Sequence, residues 1–213
     1  LAVQSPPPPP QAPLGSSCLR LSCVFDGPLP GGHPKGVELF ASCDVGELST
    51  YALGSANNGG GSDGAEYSLP SASAAAGTYL YYTYQVDAFR TFFGFEADGS
   101  SGALRVNGDD AIELFLNGEV VDIYGEINVR GTGEPWEYVD GWASRKSGTG
   151  PDGSVFAPES WLYSGKDGLD GATSNSDASM PIPLGTFSTS SSVQSPSNAS
   201  PSPPSPLLGC PDD

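Results

Sequence analysis

The residues of this chain that could do chemistry are two glutamates in matching surroundings, one histidine, and a handful of Asp and Asn side chains in Gly-rich turns. Lys35-Gly36-Val37-Glu38-Leu39-Phe40 and Asp110-Ala111-Ile112-Glu113-Leu114-Phe115 echo each other. Glu38 and Glu113, if brought together across a fold, would form the carboxylate pair that glycoside hydrolysis needs. The same recurrence suits a structural glutamate that accepts a loop N–H or meets an arginine, and that is the expectation here. A Ser or Cys nucleophile needs a base, and the only imidazole, His33, falls in the turn Pro30-Gly31-Gly32-His33-Pro34, where it should face solvent. The segment Asn58-Gly59-Gly60-Gly61-Ser62-Asp63-Gly64 lacks the Lys and the following helix of a phosphate loop. The chain is therefore expected not to be an enzyme.

Hard-oxygen ligands for calcium occur in Asn107-Gly108-Asp109-Asp110 with Glu113, and in Asp167-Gly168-Leu169-Asp170-Gly171. Neither follows the twelve-residue EF-hand register, and ordinary Asn/Asp/Gly turn chemistry accounts for both. No cofactor is expected, with Asp109, Asp110, Asp167 and Asp170 as weak calcium candidates. Trp136, Trp142 and Trp161, with Tyr138 and Tyr163, either fill a core or make a platform on which a sugar ring stacks.

The charge balance narrows the partners. Eight Lys and Arg against 25 Asp and Glu leave a net charge of −17, so a phosphate backbone would be repelled and nucleic acid is not an expected partner. Such acidity suits a crowded, soluble surface glycoprotein. No run reaches the 18 apolar residues of a membrane span.

Cys18, Cys23, Cys43 and Cys210 show no CxxC spacing, which favours disulfides over zinc and an oxidising, extracellular location. If 19–25 and 36–42 pair as a hairpin about the turn 26–34, Cys18 and Cys43 stand at symmetric positions and can bridge its open end. Cys23 and Cys210 remain. Val3-Gln4-Ser5-Pro6, leading to Pro13-Leu14-Gly15 and Cys18, is restated by Val193-Gln194-Ser195-Pro196, leading to Pro206-Leu207-Leu208-Gly209-Cys210. Such self-similarity marks a tandem array. In an array Cys210 is the Cys18 of a next unit, and a link from it to Cys23 would tie one bead to the following linker. The chain thus divides into a Pro-rich linker, 1–17, a globular segment, 18–190, and a Ser/Pro-rich linker, 191–213.

Proline fixes φ and lacks a donor, so both linkers are expected to be polyproline II spacers. Their Pro runs and Ser-Pro alternation resemble the hydroxyproline-rich glycoproteins of plants and green algae, including extensins and pherophorins. That resemblance implies hydroxylated, glycan-bearing prolines at Pro6, Pro7, Pro8, Pro9, Pro10, Pro201, Pro203 and Pro204. Asn198-Ala199-Ser200 is an N-glycosylation sequon.

The elements that must position these side chains are short. With 29 Gly and 21 Pro to break the chain, β-type runs are expected at 19–25, 36–41, 51–53, 66–69, 78–84, 103–106, 111–116, 120–124, 136–138, 142–144 and 161–163. Asn117-Gly118 between two apolar runs predicts a type I′ hairpin, and 89–94 a short helix or turn. The expected class is all-β, an antiparallel sandwich or barrel between polyproline II tails.

The order of Gly36-Val37-Glu38-Leu39-Phe40, Leu48-Ser49-Thr50-Tyr51-Ala52-Leu53-Gly54, a Gly-rich loop, Asn107 to Leu114, and Val121-Asp122-Ile123-Tyr124-Gly125 resembles lamin-tail-like domains. The resemblance extends through Trp136-Glu137-Tyr138, Trp142-Ala143-Ser144-Arg145 and Trp161. It implies an immunoglobulin-like sandwich of secreted proteins, found in bacteria ahead of nuclease modules. Together these features lead to the expectation of a structural repeat of a secreted, glycosylated matrix or surface filament that self-associates into fibrils. The alternatives are a carbohydrate-binding module and a non-catalytic accessory domain of a secreted nuclease.

Overall fold

A computed structural model describes residues 17–190. Both Pro-rich linkers, with Asn198, the candidate prolines and Cys210, lie outside the described residues. The expected all-β sandwich is what the described residues form. Strands β1 (Leu19–Leu29), β2 (His33–Ala41), β5 (Tyr79–Thr83), β6 (Gly99–Ser100), β9 (Gly141–Arg145) and β10 (Trp161–Tyr163) make a six-stranded sheet in the order β10-β9-β1-β2-β5-β6. Strands β3 (Tyr51–Ala56), β4 (Tyr67–Ser68), β7 (Ala111–Leu116) and β8 (Glu119–Tyr124) make the facing sheet, in the order β4-β3-β7-β8. Every pairing is antiparallel except β5 with β6.

Two hairpins follow from local chemistry. Asn117 and Gly118 take φ of +51° and +86°, the positive pair that a type I′ turn demands between β7 and β8. The β1–β2 hairpin is longer than the sequence indicated, with strands reaching Leu29 and His33 and a turn closed by the Gly32 N–H on the Leu29 carbonyl. At its open end Cys18 and Cys43 are disulfide-bonded, their Cα atoms 5.1 Å apart.

Other expected strands are corrected. Residues 103–106 belong to a single 3-10 turn, Gly102–Leu104, and its exit, and 136–138 is a loop whose rings nonetheless enter the core. Of 66–69 only Tyr67–Ser68 pairs. The short helix or turn expected at 89–94 is α1 (Val86–Phe93), which begins earlier, at Val86, and is stopped by Gly94 at φ +81°, whose N–H caps the Arg90 carbonyl.

The core has two compartments. Leu19, Leu21, Val24, Val37 and Leu39 meet Leu53, Ile112 and Leu114 between the sheets. A bulge between Leu21 and Cys23 shifts the alternation, so that Cys23 and Phe25 point to the other face of β1. There they pack beneath Phe89 and Phe92 of α1 and beneath Leu169, Ala172 and Ile182. The central strand β1 is therefore buried on both faces, which a strict period of two could not announce.

The two sheets are joined by a buried ion pair. Arg145, on β9, donates Nη2 to Asp122 on β8 at 2.7 Å, Nη1 to Asp152 at 2.6 Å and Nε to the Leu21 carbonyl at 2.6 Å. Asp122 accepts in return from the Leu21 N–H at 2.8 Å and the Asp152 N–H at 2.9 Å. The side chains of Arg145 and Asp122 have no exposed surface, and the guanidinium lies 4.4 Å from the centre of the Trp161 ring. Burial pushes the Asp122 carboxyl above its ordinary value, while Arg145 and the two N–H donors pull it back down.

Removing one member of such a pair strands a buried charge. Arg145→Met is expected to lower unfolding free energy in urea by about 3–5 kcal/mol. Lys166→Met, which breaks the half-exposed 3.7 Å contact with Glu137, should lose less than about 1 kcal/mol. Comparable small losses in both would show that the sheets do not depend on the pair.

Candidate functional site

The structure separates the two glutamates. Val37 and Leu39 face the core between the sheets, so Glu38 on β2 points outward from the six-stranded sheet; Ile112 and Leu114 likewise turn Glu113 outward from the other. The full sandwich lies between them, and the two do not form a carboxylate pair. Glu38 accepts from Ser22 Oγ at 2.6 Å and the Gly185 N–H at 2.6 Å, fastening the chain's return across the outer face. Glu113 accepts from Ser62 Oγ and holds the Gly-rich loop. Both perform the structural role that their recurrence suggested.

The aromatic platform is also absent. Trp136, Trp142 and Trp161 are 3%, 8% and 2% exposed, and Tyr138 is fully buried. Trp142 donates its indole N–H to the Met180 carbonyl at 2.9 Å, and Trp161 is covered by Arg145. Their rings were spent on packing, so none is open to a sugar. Cys23 is a buried free thiol beneath α1, its titration pushed well up by burial; its expected partner Cys210 lies outside the described residues. A bridge to a linker would have to enter this second core.

The four calcium candidates divide. Asp109 accepts from Arg130 Nε at 3.1 Å and Thr132 Oγ1 at 2.5 Å, and Asp110 from the Asn58 and Asn107 N–H groups at 2.7 and 2.8 Å. These carboxylates close turns. Asp167 and Asp170 instead meet Asp140, which the sequence did not single out, and one oxygen from each of the three lies within 4.8 Å of the others. Burial, then Asp170 and Asp167, push the Asp140 carboxyl up. Among the described residues these three are the ones that could hold a divalent cation, although three carboxylates fall short of the six to eight oxygens calcium takes.

A different place gathers unused donors. Gly31 and His33 from the first hairpin, Lys35 on β2, Tyr84 and Gln85 after β5, and Arg105 and Asn107 before β7 line a cleft of about 480 Å³. Lys35 is its floor, nine-tenths or more buried, bonded to Asp26 and donating to Asn107 Oδ1 at 3.2 Å. Asp26 is fixed in turn by the Gly108 N–H at 2.9 Å, and its carboxyl is pushed up by burial against the pull of Lys35. Gln85 accepts the Lys35 N–H through Oε1 at 3.3 Å. The Tyr84 ring stands between His33, 6.4 Å from centroid to centroid, and the Arg105 guanidinium, 5.9 Å from its centre. His33 thus lies at the edge of a cleft, half-buried, and among the described residues its Nδ1 has no hydrogen-bond partner. Sequence reasoning placed this histidine in a turn and did not connect it with Tyr84, Gln85, Arg105 or Asn107, because these residues share no motif. The one available signal was that so few cations exist to be placed.

No protein-family model, no curated protein and no solved structure matches this chain.

Glu38 supplies a test of the structural assignment. Burial raises its carboxyl above the ordinary value, against the bonds from Ser22, Gly185 and Tyr81. The native state then holds a proton that the unfolded chain has released, so the contribution of Glu38 is greatest below its unfolded value and is lost as pH rises through the native one. Glu38→Gln removes that loss. Between about pH 4 and about pH 7 the wild type should lose more stability, relative to the variant, in urea midpoints. An unchanged difference at the two pH values would mean that Glu38 is ionised in the fold as easily as in the unfolded chain.

Proposed function

We infer that this chain is a non-catalytic structural repeat unit of a secreted, glycosylated extracellular matrix or surface-filament protein, assembling through contacts of its globular segment and Pro-rich linkers. The observation that carries this reading is the Cys18–Cys43 disulfide at the junction of the first linker with the sandwich. An exposed bridge of this kind suits an oxidising compartment. It also lies beside the Pro-rich sequence that recurs, in the same order, after the sandwich.

The rest of the geometry is in keeping. Glu38 and Glu113, which recur in matching sequence surroundings, serve separate loops. The lone His33 contacts an aromatic ring and neither a hydroxyl nor a carboxylate among the described residues. No helix among the described residues is long and apolar enough to cross a membrane. The motifs behind the lamin-tail-like resemblance fall on β2, on β3 with its preceding turn, and on β7 and β8, the strands that build the main core, which supports that kinship. The tryptophan platform on which the carbohydrate-binding alternative rested is buried.

Electron microscopy and intact-mass spectrometry of native material test the reading together. Regular fibrils of beads, with a mass per unit above the polypeptide's 21.8 kDa and a Cys18–Cys43 peptide in non-reducing digests, are expected. Monodisperse single beads of unmodified mass would overturn it.

A further inference from the structure

We propose that the cleft between the β1–β2 hairpin and the segment before β7 binds a carboxylate-bearing sugar, a hexuronic acid unit, with Arg105, Gln85 and Asn107 as its principal donors. This site stands apart from the structural role above and does not rest on it.

Lys35 Nζ can only donate, so the Asn107 amide must turn Oδ1 toward it, leaving Nδ2 free. The Lys35 backbone N–H likewise fixes Gln85 Oε1, and the remaining Nε2 is buried in the cleft wall with no partner among the described residues. Both amide oxygens are thus consumed, and neither amide nitrogen has a partner among the described residues. A buried amide donor without a partner is costly, and a ligand oxygen removes that cost.

Arg105 supplies the charge. Its guanidinium is exposed and makes neither an ion pair nor a hydrogen bond among the described residues; its contact is with the face of Tyr84. By contrast Arg90, Arg130, Arg145 and Lys35 all have carboxylate partners. In a chain of net charge −17, an arginine left without an anion beside unpaired donors marks a place for one. The planar fork of the guanidinium matches a carboxylate through two parallel bonds. His33 Nδ1, also buried without a partner, can donate or accept at the rim.

Size and polarity select the rest of the ligand. A carboxylate alone would leave most of the 480 Å³ unfilled, whereas this volume falls in the range of small-molecule sites. A sugar ring brings hydroxyl oxygens for Gln85 and Asn107 and an apolar C–H face for Tyr84. Asp26, Asp110 and Asp140 all act on the Lys35 ammonium, so its charge is spent and only one ligand carboxylate is balanced, by Arg105. A polyanion of phosphate density would meet the chain's general repulsion instead.

The test is a heteronuclear NMR titration of the 18–190 sandwich within the full chain, using glucuronate, its neutral methyl ester, glucose and acetate up to about 20 mM each. Glucuronate should shift the side-chain amides of Gln85 and Asn107 and the Arg105 Nε resonance, at least about 10-fold more tightly than the ester or glucose. Arg105→Gln, at an exposed position, should weaken glucuronate by about 10-fold or more and leave the ester unchanged. Gln85→Glu keeps the oxygen that holds Lys35 N–H but replaces the donor with an acceptor, and should abolish glucuronate binding with the rest of the spectrum intact. Glucose or the ester binding as well as glucuronate would refute the carboxylate. Acetate reproducing the same shifts at the same affinity would refute the sugar, and no shift at these residues would refute the site.

Discussion

The guanidinium of Arg145 is the contact on which the sandwich depends. It sits where three strands from two sheets converge, and each of its nitrogens answers a need created by the fold: a carboxylate on β8, the loop carboxylate Asp152, and the carbonyl of Leu21. Leu21 precedes the bulge that rotates β1, and the backbone ladder from β1 to β9 begins only at Cys23. Its N–H and C=O would be buried without partners were Asp122 and Arg145 not there. The bulge in turn gives β1 two apolar faces, one toward the other sheet and one toward α1. One satisfied ion pair thus permits the irregularity from which both compartments of the core follow. Its desolvation is expensive, and the dense set of hydrogen bonds around it is what offsets that expense.

Carboxylates elsewhere repeat the same service on a smaller scale. Asp26 holds the Gly108 N–H, Asp98 the Tyr81 N–H, Asp44 the Ala76 N–H, Glu66 the Ser55 N–H and Glu38 the Gly185 N–H. A chain so rich in Gly and Pro has long connections whose amides no ladder can satisfy, and short acidic side chains reach them. Much of the net charge therefore belongs to the scaffold. Sequence composition suggested a solvated acidic surface, and the geometry assigns a good share of those acids to the interior and to turns.

Local chemistry was legible wherever it sufficed. Asn117-Gly118 forced its hairpin, and the symmetry of Cys18 and Cys43 about the first hairpin foretold their bridge. Readings that needed a tertiary decision fared less well. The tryptophans could be core or platform by composition, and only the arrival of Arg145 over Trp161 and the Met180 carbonyl at Trp142 settles them as core. Residues 136–138 had strand-like composition but no neighbouring strand to pair with, so packing kept their rings and released their backbone. Asp140 joined Asp167 and Asp170 through loop folding alone, and the cleft drew its residues from three distant segments. Such juxtapositions leave no spacing in a sequence to read.

The two ends of the sandwich leave it at the same place. Ser42 donates to the Cys18 carbonyl at 2.7 Å, Phe187 packs against Phe40 with ring centres 5.2 Å apart, and Arg20 lies over Phe187 at 5.6 Å. Entry and exit are thus both anchored around the end of β2, with the disulfide beside them. Tension applied through the chain would cross the molecule over this short stretch and would not run along the strands or through the core. The sandwich would hang from its backbone as a pendant, its core shielded from load.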